Sequence, residues 1–317
     1  AAYIMRGNSW AGWEIGEKQA KFWGSLHDIS KTRGLTKKIS NWLIKKVLIL
    51  SSYNMSEEKM FSYQRKLNSY RPQLITGYAS ALYLFARFIR ENNLNIYSPK
   101  GIISSAETLY EHQREYIESV FGCDVLNRYG CRETGDIAQE CKEKKGLHIY
   151  SEHLIVEVVD EDGNPCPPGR MGELVVTDLS NYVFPFIRYK IGDLGALSDR
   201  VCPCGRNLPM LEKVEGRIWD VVVGTNGNRM VGALWHVVKN ADGIKQYQVV
   251  QEKLGELTLK LVVDKNFNSG EKEKLIDMIR EKLGREMKVD IELVDTIPLT
   301  ESGKLRYVIS EVSPYKE

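Results

Sequence analysis

The sequence lacks a strong excess of charge of either sign. Its 317 residues include 44 lysines and arginines and 42 aspartates and glutamates, which leaves a formal net charge of +2. Nucleic-acid-binding domains normally carry a clustered or overall basic charge. The composition therefore gives no indication of a nucleic-acid partner and favours a soluble enzyme.

Long apolar runs and abundant cysteine are absent as well. The longest apolar run, Trp42 to Leu50, is interrupted by Lys45 and Lys46, which argues against a membrane-spanning helix. We also expect no signal peptide. Six cysteines in a chain of this length do not make a disulfide scaffold, so we expect reduced thiols in a cytoplasmic compartment.

The apolar pattern divides the chain into two predicted domains. Over residues 1–216, strand-like runs alternate with amphipathic helical stretches, which is typical of an α/β fold. From Leu147 this pattern changes to a two-residue alternation, which predicts a β-rich subdomain. Residues 217–317 carry the pattern of a small α+β domain of ordinary size.

Individual elements follow from the period of the apolar residues. The helical period places Ala81, Leu82, Phe85 and Phe88 on one stripe of a helix. The predicted helices are Ala79–Asn92, Thr108–Phe121 and Glu271–Leu283. The predicted strands are Lys46–Leu50, Leu74–Gly77, Asp124–Arg128, His148–Val159, Gly172–Thr177, Phe186–Tyr189, Gln246–Glu252, Leu257–Asp264 and Lys288–Val294. The stretch Gly224–Gly227 is interpreted as a hairpin turn rather than a phosphate loop.

The clearest functional signal lies near the end of the sequence. Ile297–Arg306 places Lys304 in a loop beside Gly303, after a strand-like stretch. Glycine permits an unusual backbone, and lysine supplies a compact charge on a long side chain. Such a loop is suited to bringing an ammonium group to a phosphate, although similar turns are common.

Four upstream segments give this loop a context. They are Ser104–Glu107, Arg128–Gly135, Phe186–Asp193 and Val214–Asp220. Together with the terminal loop, and in this order, they resemble the signatures of the adenylate-forming enzymes, which include acyl-CoA ligases, luciferases and peptide-synthetase adenylation domains. The phenylacetate–CoA ligase family, with its capsular-polysaccharide-associated and coenzyme-adenylating members, is the branch that the chain resembles most.

The resemblance implies roles for five charged side chains. Lys304 would pair with the attacking carboxylate and the α-phosphate of ATP, and Glu133 would bind magnesium through oxygen. Asp193 would accept hydrogen bonds from the ribose hydroxyls, although a simple Gly-Asp turn is the alternative. Arg188 would support that loop or approach the nucleotide, and Arg217 would contact ribose or phosphate.

Further residues would shape the nucleotide site and the hinge between the domains. Ala106 and Glu107 would line the adenine base, and Tyr129, followed by Gly130, would pack against it. Trp219 stands where relatives usually carry Asp or Lys at the hinge pivot. Domain alternation is therefore expected to be slower or altered.

The resemblance also implies the substrates of the reaction, and one motif of the family, its phosphate loop, is not found in this sequence. The expected reaction uses ATP to join a carboxylic acid, here expected to be an aryl acid, to coenzyme A. The Ser/Thr/Gly-rich phosphate loop of the family is not found in these residues. It would precede Trp10–Glu17 in relatives, so we expect an N-terminally truncated ligase that does not necessarily turn over ATP unaided.

A metal site is predicted from cysteine and histidine spacing. Cys141 and His148 form a C-x6-H element, and Cys202 with Cys204 forms a C-x-C element. Three thiolates and one imidazole make a closed tetrahedral set, which is typical of structural zinc rather than catalytic zinc. The alternative is four unrelated residues.

Three functions stay open at this point. The first is the acyl-CoA ligase, or an adenylating relative with a different acceptor. The second is a non-catalytic, zinc-stapled module that binds a nucleotide or an acyl adenylate. The third is a structural or interaction domain.

Overall fold

The computed structural model describes residues 2–23, 46–52, 55–217, 221–231, 235–238, 241–298 and 305–312. The chain forms two compact units. The first comprises the described residues of Ala1–Ile191 and Gly195–Val214, and the second those of Gly192–Leu194, Glu215–Thr300 and Leu305–Glu317. The main division falls at Val214, while the predicted domain boundary at residues 216 and 217 stays a prediction.

An eleven-stranded sheet contains the first eleven strands, in the order β2-β1-β3-β4-β5-β6-β7-β11-β10-β9-β8. Strands β1 to β5 are parallel to one another, and β5, β6 and β7 continue the sheet as antiparallel neighbours. The strands are β1 Gln19–Phe22, β2 Val47–Leu50, β3 Leu74–Gly77, β4 Gly101–Ser105, β5 Val125–Cys131, β6 Gly135–Glu140, β7 Leu147–Ile149, β8 Leu154–Val159, β9 Gly172–Asp178, β10 Tyr189–Ser198 and β11 Met210–Arg217.

Helices cover both faces of the parallel strands. Numbered within the described residues, they are α1 Ala2–Trp10, α2 Glu57–Tyr70, α3 Ala79–Glu91 and α4 Glu111–Phe121. Because successive strand residues point to opposite faces, Ile75 and Ile102 join the core beneath α2 to α4, whereas Leu74 and Ile103 join a second core beneath α1. None of the described helices has the length and apolar character that crossing a membrane requires.

Helix α1 docks through buried polar groups. Gln139 donates from Nε2 to the carbonyl of Gly7 at 2.6 Å, and Tyr150 donates to Gln139 Oε1 at 3.1 Å. The guanidinium of Arg128 donates to both Gln139 and Asn8. A side chain at Gly7 would overlap the Tyr150 hydroxyl, so the close approach requires glycine there.

The second unit has its own core. Strands β12 Val221–Val223 and β13 Arg229–Val231 form a hairpin, and β14 Ile244–Gln251, β15 Glu256–Val263, β16 Lys288–Leu293 and β17 Val308–Ser310 form a sheet in the order β16-β15-β14-β17. Helices α5 Trp235–Val238 and α6 Ser269–Leu283 pack on this core. Asn268 caps the start of helix α6, since its side chain accepts hydrogen bonds from the amides of Gly270 and Glu271.

The structure confirms the predicted fold class, an α/β unit with a β-rich part followed by a small α+β unit, and corrects several element boundaries. The predicted strand His148–Val159 is two strands, because a turn at 151–153 separates β7 from β8. The predicted strand Phe186–Tyr189 is wrong, since β10 starts at Tyr189, after Arg188 adopts a left-handed backbone with φ 48°. Helix α4 starts at Glu111 rather than Thr108. The predicted hairpin turn between β12 and β13 is confirmed.

Candidate functional site

The carboxyl ends of β3, β4 and β5 lie side by side. Gly77 is opposite Ser104, and Ser105 is opposite Arg128. In open α/β sheets, ligands bind in the crevice outside the carboxyl ends of the strands. This edge carries five of the predicted site residues: Ala106, Glu107, Tyr129, Gly130 and Glu133.

The turn after β5 presents Glu133 to solvent. Strand β5 pairs with β6 through a bulge at Tyr129 and Gly130, and a Cβ atom on Gly130 would lie 2.5 Å from the Gly135 carbonyl oxygen. Glycine is therefore required for the two strands to approach so closely. Thr134 is buried beneath the turn, and Glu133 is exposed. An exposed carboxylate in this position can act as an oxygen ligand for a hard cation.

Glu107 makes a contact that the sequence analysis missed. Its Oε2 accepts a hydrogen bond of 2.8 Å from the backbone amide of Ser80 in the first turn of α3. The preceding residue, Ala106, has a left-handed backbone with φ 68°. One signal was available: Tyr78 stands immediately before α3, where Ser, Thr, Asp or Asn would supply a cap.

Two residues of the Phe186–Asp193 motif have different surroundings. The Arg188 side chain donates to Glu157 Oε2 at 3.3 Å and to the Gly163 carbonyl at 3.1 Å. It thereby ties the start of β10 to β8 and to the turn after β8. Asp193 is half-buried in β10, within the segment Gly192–Leu194 that clusters with the second unit.

The side chains of the remaining predicted residues lie outside the described part of the structure. Arg217 ends β11, and its side chain lies outside the described part of the structure. Lys304 and Trp219 also lie outside the described residues. Their predicted roles stay predictions.

The four predicted metal ligands come together. The ligand atoms of Cys141, His148, Cys202 and Cys204 all lie within 4.8 Å of one another. Cys141 Sγ is 3.7 Å from Cys202 Sγ, and Cys204 Sγ is 3.4 Å from His148 Nε2. Bonds of about 2.3 Å to sulfur and about 2.1 Å to nitrogen would separate two tetrahedral sulfurs by about 3.8 Å, and a sulfur and a nitrogen by about 3.6 Å. The geometry therefore fits a tetrahedral metal ion.

Electrostatics around this cluster favour a cation. Burial raises the pKa of Cys141 to about 12, and the neighbouring Cys202 and Cys204 contribute to the rise. Burial and the charge of Arg206 lower the pKa of His148, so its imidazole is held neutral, as metal ligation requires. Three adjacent thiolates repel one another, and a bound dication removes that penalty.

The protein holds the cluster from several sides. Glu140, next to Cys141, accepts two hydrogen bonds of 2.9 Å from Arg114 and one of 2.7 Å from the Asn127 amide. Trp10 of α1 packs edge-on against His148, with ring centroids 5.4 Å apart. The cluster thus joins the β6–β7 hairpin to the loop between β10 and β11, beneath α1.

A second histidine is buried in the first unit. The His153 ring stacks on Tyr3 with centroids 3.9 Å apart. Burial lowers the pKa of His153 from its ordinary value of 6.5, while the carbonyl of Asp136 and the carboxylates of Asp178 and Glu152 oppose the shift. The ring is therefore neutral in the folded protein near pH 7.

We expect this histidine to make the first unit acid-sensitive. Because its pKa is lower in the folded chain than in the unfolded chain, its contribution to stability is present above pH 6.5 and is lost as the pH falls toward the folded pKa. The urea midpoint of the wild type should fall more steeply between about pH 7.5 and 5.5 than that of His153→Asn. Equal slopes for the two proteins would contradict this assignment.

Residues 222–311 match the family model described as the CapK C-terminal domain. The chain is 27% identical over 280 residues to the protein CapK of Staphylococcus aureus, covering 84% of this chain and 59% of CapK. It is 28% identical over 277 residues to a phenylacetate–coenzyme A ligase of Thermus thermophilus, covering 77% of this chain and 61% of the ligase. The chain thus spans about three fifths of the length of these relatives.

Solved structures show the same fold. A 2-hydroxyisobutyryl-CoA ligase in the postadenylation state, in complex with 2-HIB-AMP, superposes with a TM-score of 0.74 at 19% identity, covering 98% of this chain and 68% of that chain. A benzoate CoA ligase from Burkholderia xenovorans LB400 gives a TM-score of 0.65 at 18% identity, covering 96% and 63%.

These comparisons agree with the resemblance that the sequence motifs indicated. Residues 222–311 match the CapK C-terminal domain, most of the chain is similar in sequence to CapK and to a phenylacetate–coenzyme A ligase, and the fold is that of the 2-hydroxyisobutyryl-CoA and benzoate CoA ligases.

Proposed function

We propose that this chain carries the adenylating machinery of an ATP-dependent acid–thiol ligase. In the first step a carboxylate oxygen of the acid attacks the α-phosphorus of ATP, and pyrophosphate leaves. In the second, the sulfur of coenzyme A attacks the acyl carbon, AMP leaves and the thiol proton is released. The observation that carries the proposal is the convergence of two family motifs at the carboxyl ends of β4 and β5.

The proposed roles follow from the chemistry of the side chains. Glu133 would bind magnesium, which neutralises the phosphates, since this ion prefers a carboxylate together with substrate phosphates. Ala106, Tyr129 and Gly130 would face the nucleotide base. Four further residues would contact the nucleotide, as the sequence motifs imply: Arg188, Asp193, Arg217 and Lys304. Electrostatic stabilisation of the charge that develops on the α-phosphate would supply most of the rate enhancement.

We propose zinc as the ion of the Cys/His cluster and assign it a structural role. Four protein ligands leave no position for a reacting water. Zinc thiolates require reduced cysteines, and all six cysteines of the chain are free, which supports a cytoplasmic location. The aryl character of the acid is proposed from the phenylacetate-CoA ligase among the relatives.

Pyrophosphate exchange tests the proposal directly. The chain is incubated with ATP, magnesium, labelled pyrophosphate and a panel of aryl and aliphatic acids, and formation of labelled ATP is measured. We expect exchange that depends on an acid, with aryl acids preferred. Absence of exchange together with absence of ATP binding would reject the ligase assignment.

The second candidate is a non-catalytic, zinc-stapled module that binds a nucleotide or an acyl adenylate, and the Cys/His cluster with its four protein ligands would be the staple. This function predicts binding of AMP or acyl-AMP without exchange for any acid. A purely structural domain predicts neither binding nor exchange.

A further inference from the structure

The first turn of α3 depends on an acceptor from another part of the chain. The first backbone amides of a helix have no acceptor within the helix. Tyr78, at the N-cap position, has an extended backbone and makes no capping hydrogen bond with its side chain, and the first turn contains no acidic residue. Glu107, 27 residues further along the chain, accepts from the Ser80 amide at 2.8 Å. Its carboxylate also places negative charge at the positive end of the helix.

The backbone before Glu107 directs its side chain toward α3. Ala106 has φ 68°, a left-handed conformation that residues with a side chain rarely adopt. Strand β4 ends at Ser105, and the neighbouring parallel strand β3 ends at Gly77. The left-handed residue thus turns the chain so that Glu107 bridges the ends of two adjacent strands.

This bridge joins two segments of the candidate site. On one side is the Ser105–Ala106 segment, and on the other are Tyr78 and the first turn of α3. The Tyr78 ring is buried and lies 4.7 Å from the ring of Trp23, which follows β1. A shift of α3 would therefore move an aromatic wall beside the carboxyl edge of the sheet.

We propose that Glu107 is a positioning residue, which fixes the first turn of α3 against the Ser105–Ala106 segment instead of contacting the adenylate itself. This inference rests on the proposed function, in which that edge binds the nucleotide. It assigns to Glu107 a role different from lining the base, which the sequence resemblance implied.

The test combines amide exchange with AMP binding. Glu107→Ala should accelerate hydrogen exchange of the Ser80 amide and weaken AMP binding about tenfold, because the first turn of α3 is no longer held against the Ser105–Ala106 segment. Glu107→Gln keeps an oxygen acceptor, so it should retain slow exchange and stay within about threefold of the wild-type affinity. Glu91→Ala is the matched control, because Glu91 lies at the other end of α3 and pairs with Arg87 on the surface; it should leave AMP binding unchanged.

Three other outcomes of this test would overturn the inference. If Glu107→Gln loses AMP affinity while the Ser80 amide stays protected, Glu107 contacts the ligand directly and the inference is overturned; this variant decides alone if Glu107→Ala does not fold. Faster exchange in Glu107→Ala with unchanged AMP affinity would also overturn it. A wild-type chain that binds no AMP overturns the proposed function, and the inference falls with it.

Discussion

Replacing Cys202 with serine is expected to abolish binding of the proposed zinc and to destabilise the first unit by at least about 3 kcal/mol, because structural zinc binding contributes directly to folding. Cys202 is 4% exposed and lies 3.7 Å from Cys141. Without the ion, buried thiols and a neutral imidazole remain, with no charge to hold the loop between β10 and β11 against the β6–β7 hairpin. Metal content per chain and the urea midpoint of the first unit measure the two effects.

Cys166→Ser provides the matched control for this prediction. Cys166 is also buried, at 8% exposed, but it is not among the four clustered ligands. This variant should keep the zinc and lose only about 1–2 kcal/mol, the ordinary cost of placing a hydroxyl in a buried site. If Cys202→Ser retains one zinc per chain, or is no less stable than Cys166→Ser, the assignment of these four residues as a metal site is wrong.

Lys304→Ala is expected to lower the rate of acyl-adenylate formation by at least about 100-fold, or about 2.7 kcal/mol of transition-state stabilisation. In the proposed reaction, the ammonium group of Lys304 stabilises the charge that develops as the carboxylate attacks the α-phosphate. The second step, from preformed acyl-AMP and coenzyme A, does not form that bond and should be largely spared. Pyrophosphate exchange and single-turnover thioester formation measure the two steps separately.

Lys272→Ala is the control for this second prediction, since Lys272 is exposed on α6. It should leave both steps unchanged. Equal losses in both steps for Lys304→Ala would contradict the role assigned to the lysine and would indicate a general effect on nucleotide binding or folding.

Local periodicity accounts for the elements that the sequence predicted well. The apolar stripe of α3 is confirmed because Ala81, Leu82, Phe85 and Phe88 are all buried on one side of the helix, and this pattern is legible without knowledge of any neighbour. The metal cluster was predictable for a similar reason. Its ligands occur as two short elements that together supply three thiolates and one imidazole, a ligand set typical of structural zinc.

Backbone conformation and long-range contacts account for the errors and omissions. The predicted strand His148–Val159 included the turn that separates β7 from β8, because the alternation of apolar residues continues across that turn. The late start of β10 depends on the positive φ of Arg188, which is rare for arginine and has no sequence signal. The Glu107–Ser80 hydrogen bond joins residues 27 positions apart, and only the register of β3 and β4 brings them together.

The Cys141–Cys202 proximity carries a consequence for the order of folding. The two cysteines are 61 positions apart, and the intervening chain contains β7, β8, β9 and β10. Closing so long a loop costs chain entropy that only the contacts of those strands can offset. We therefore expect the complete ligand set to form after the strands have paired. Capture of the proposed zinc during refolding should then report a late event, and the ion would restrain a long loop as a disulfide would in an oxidising compartment.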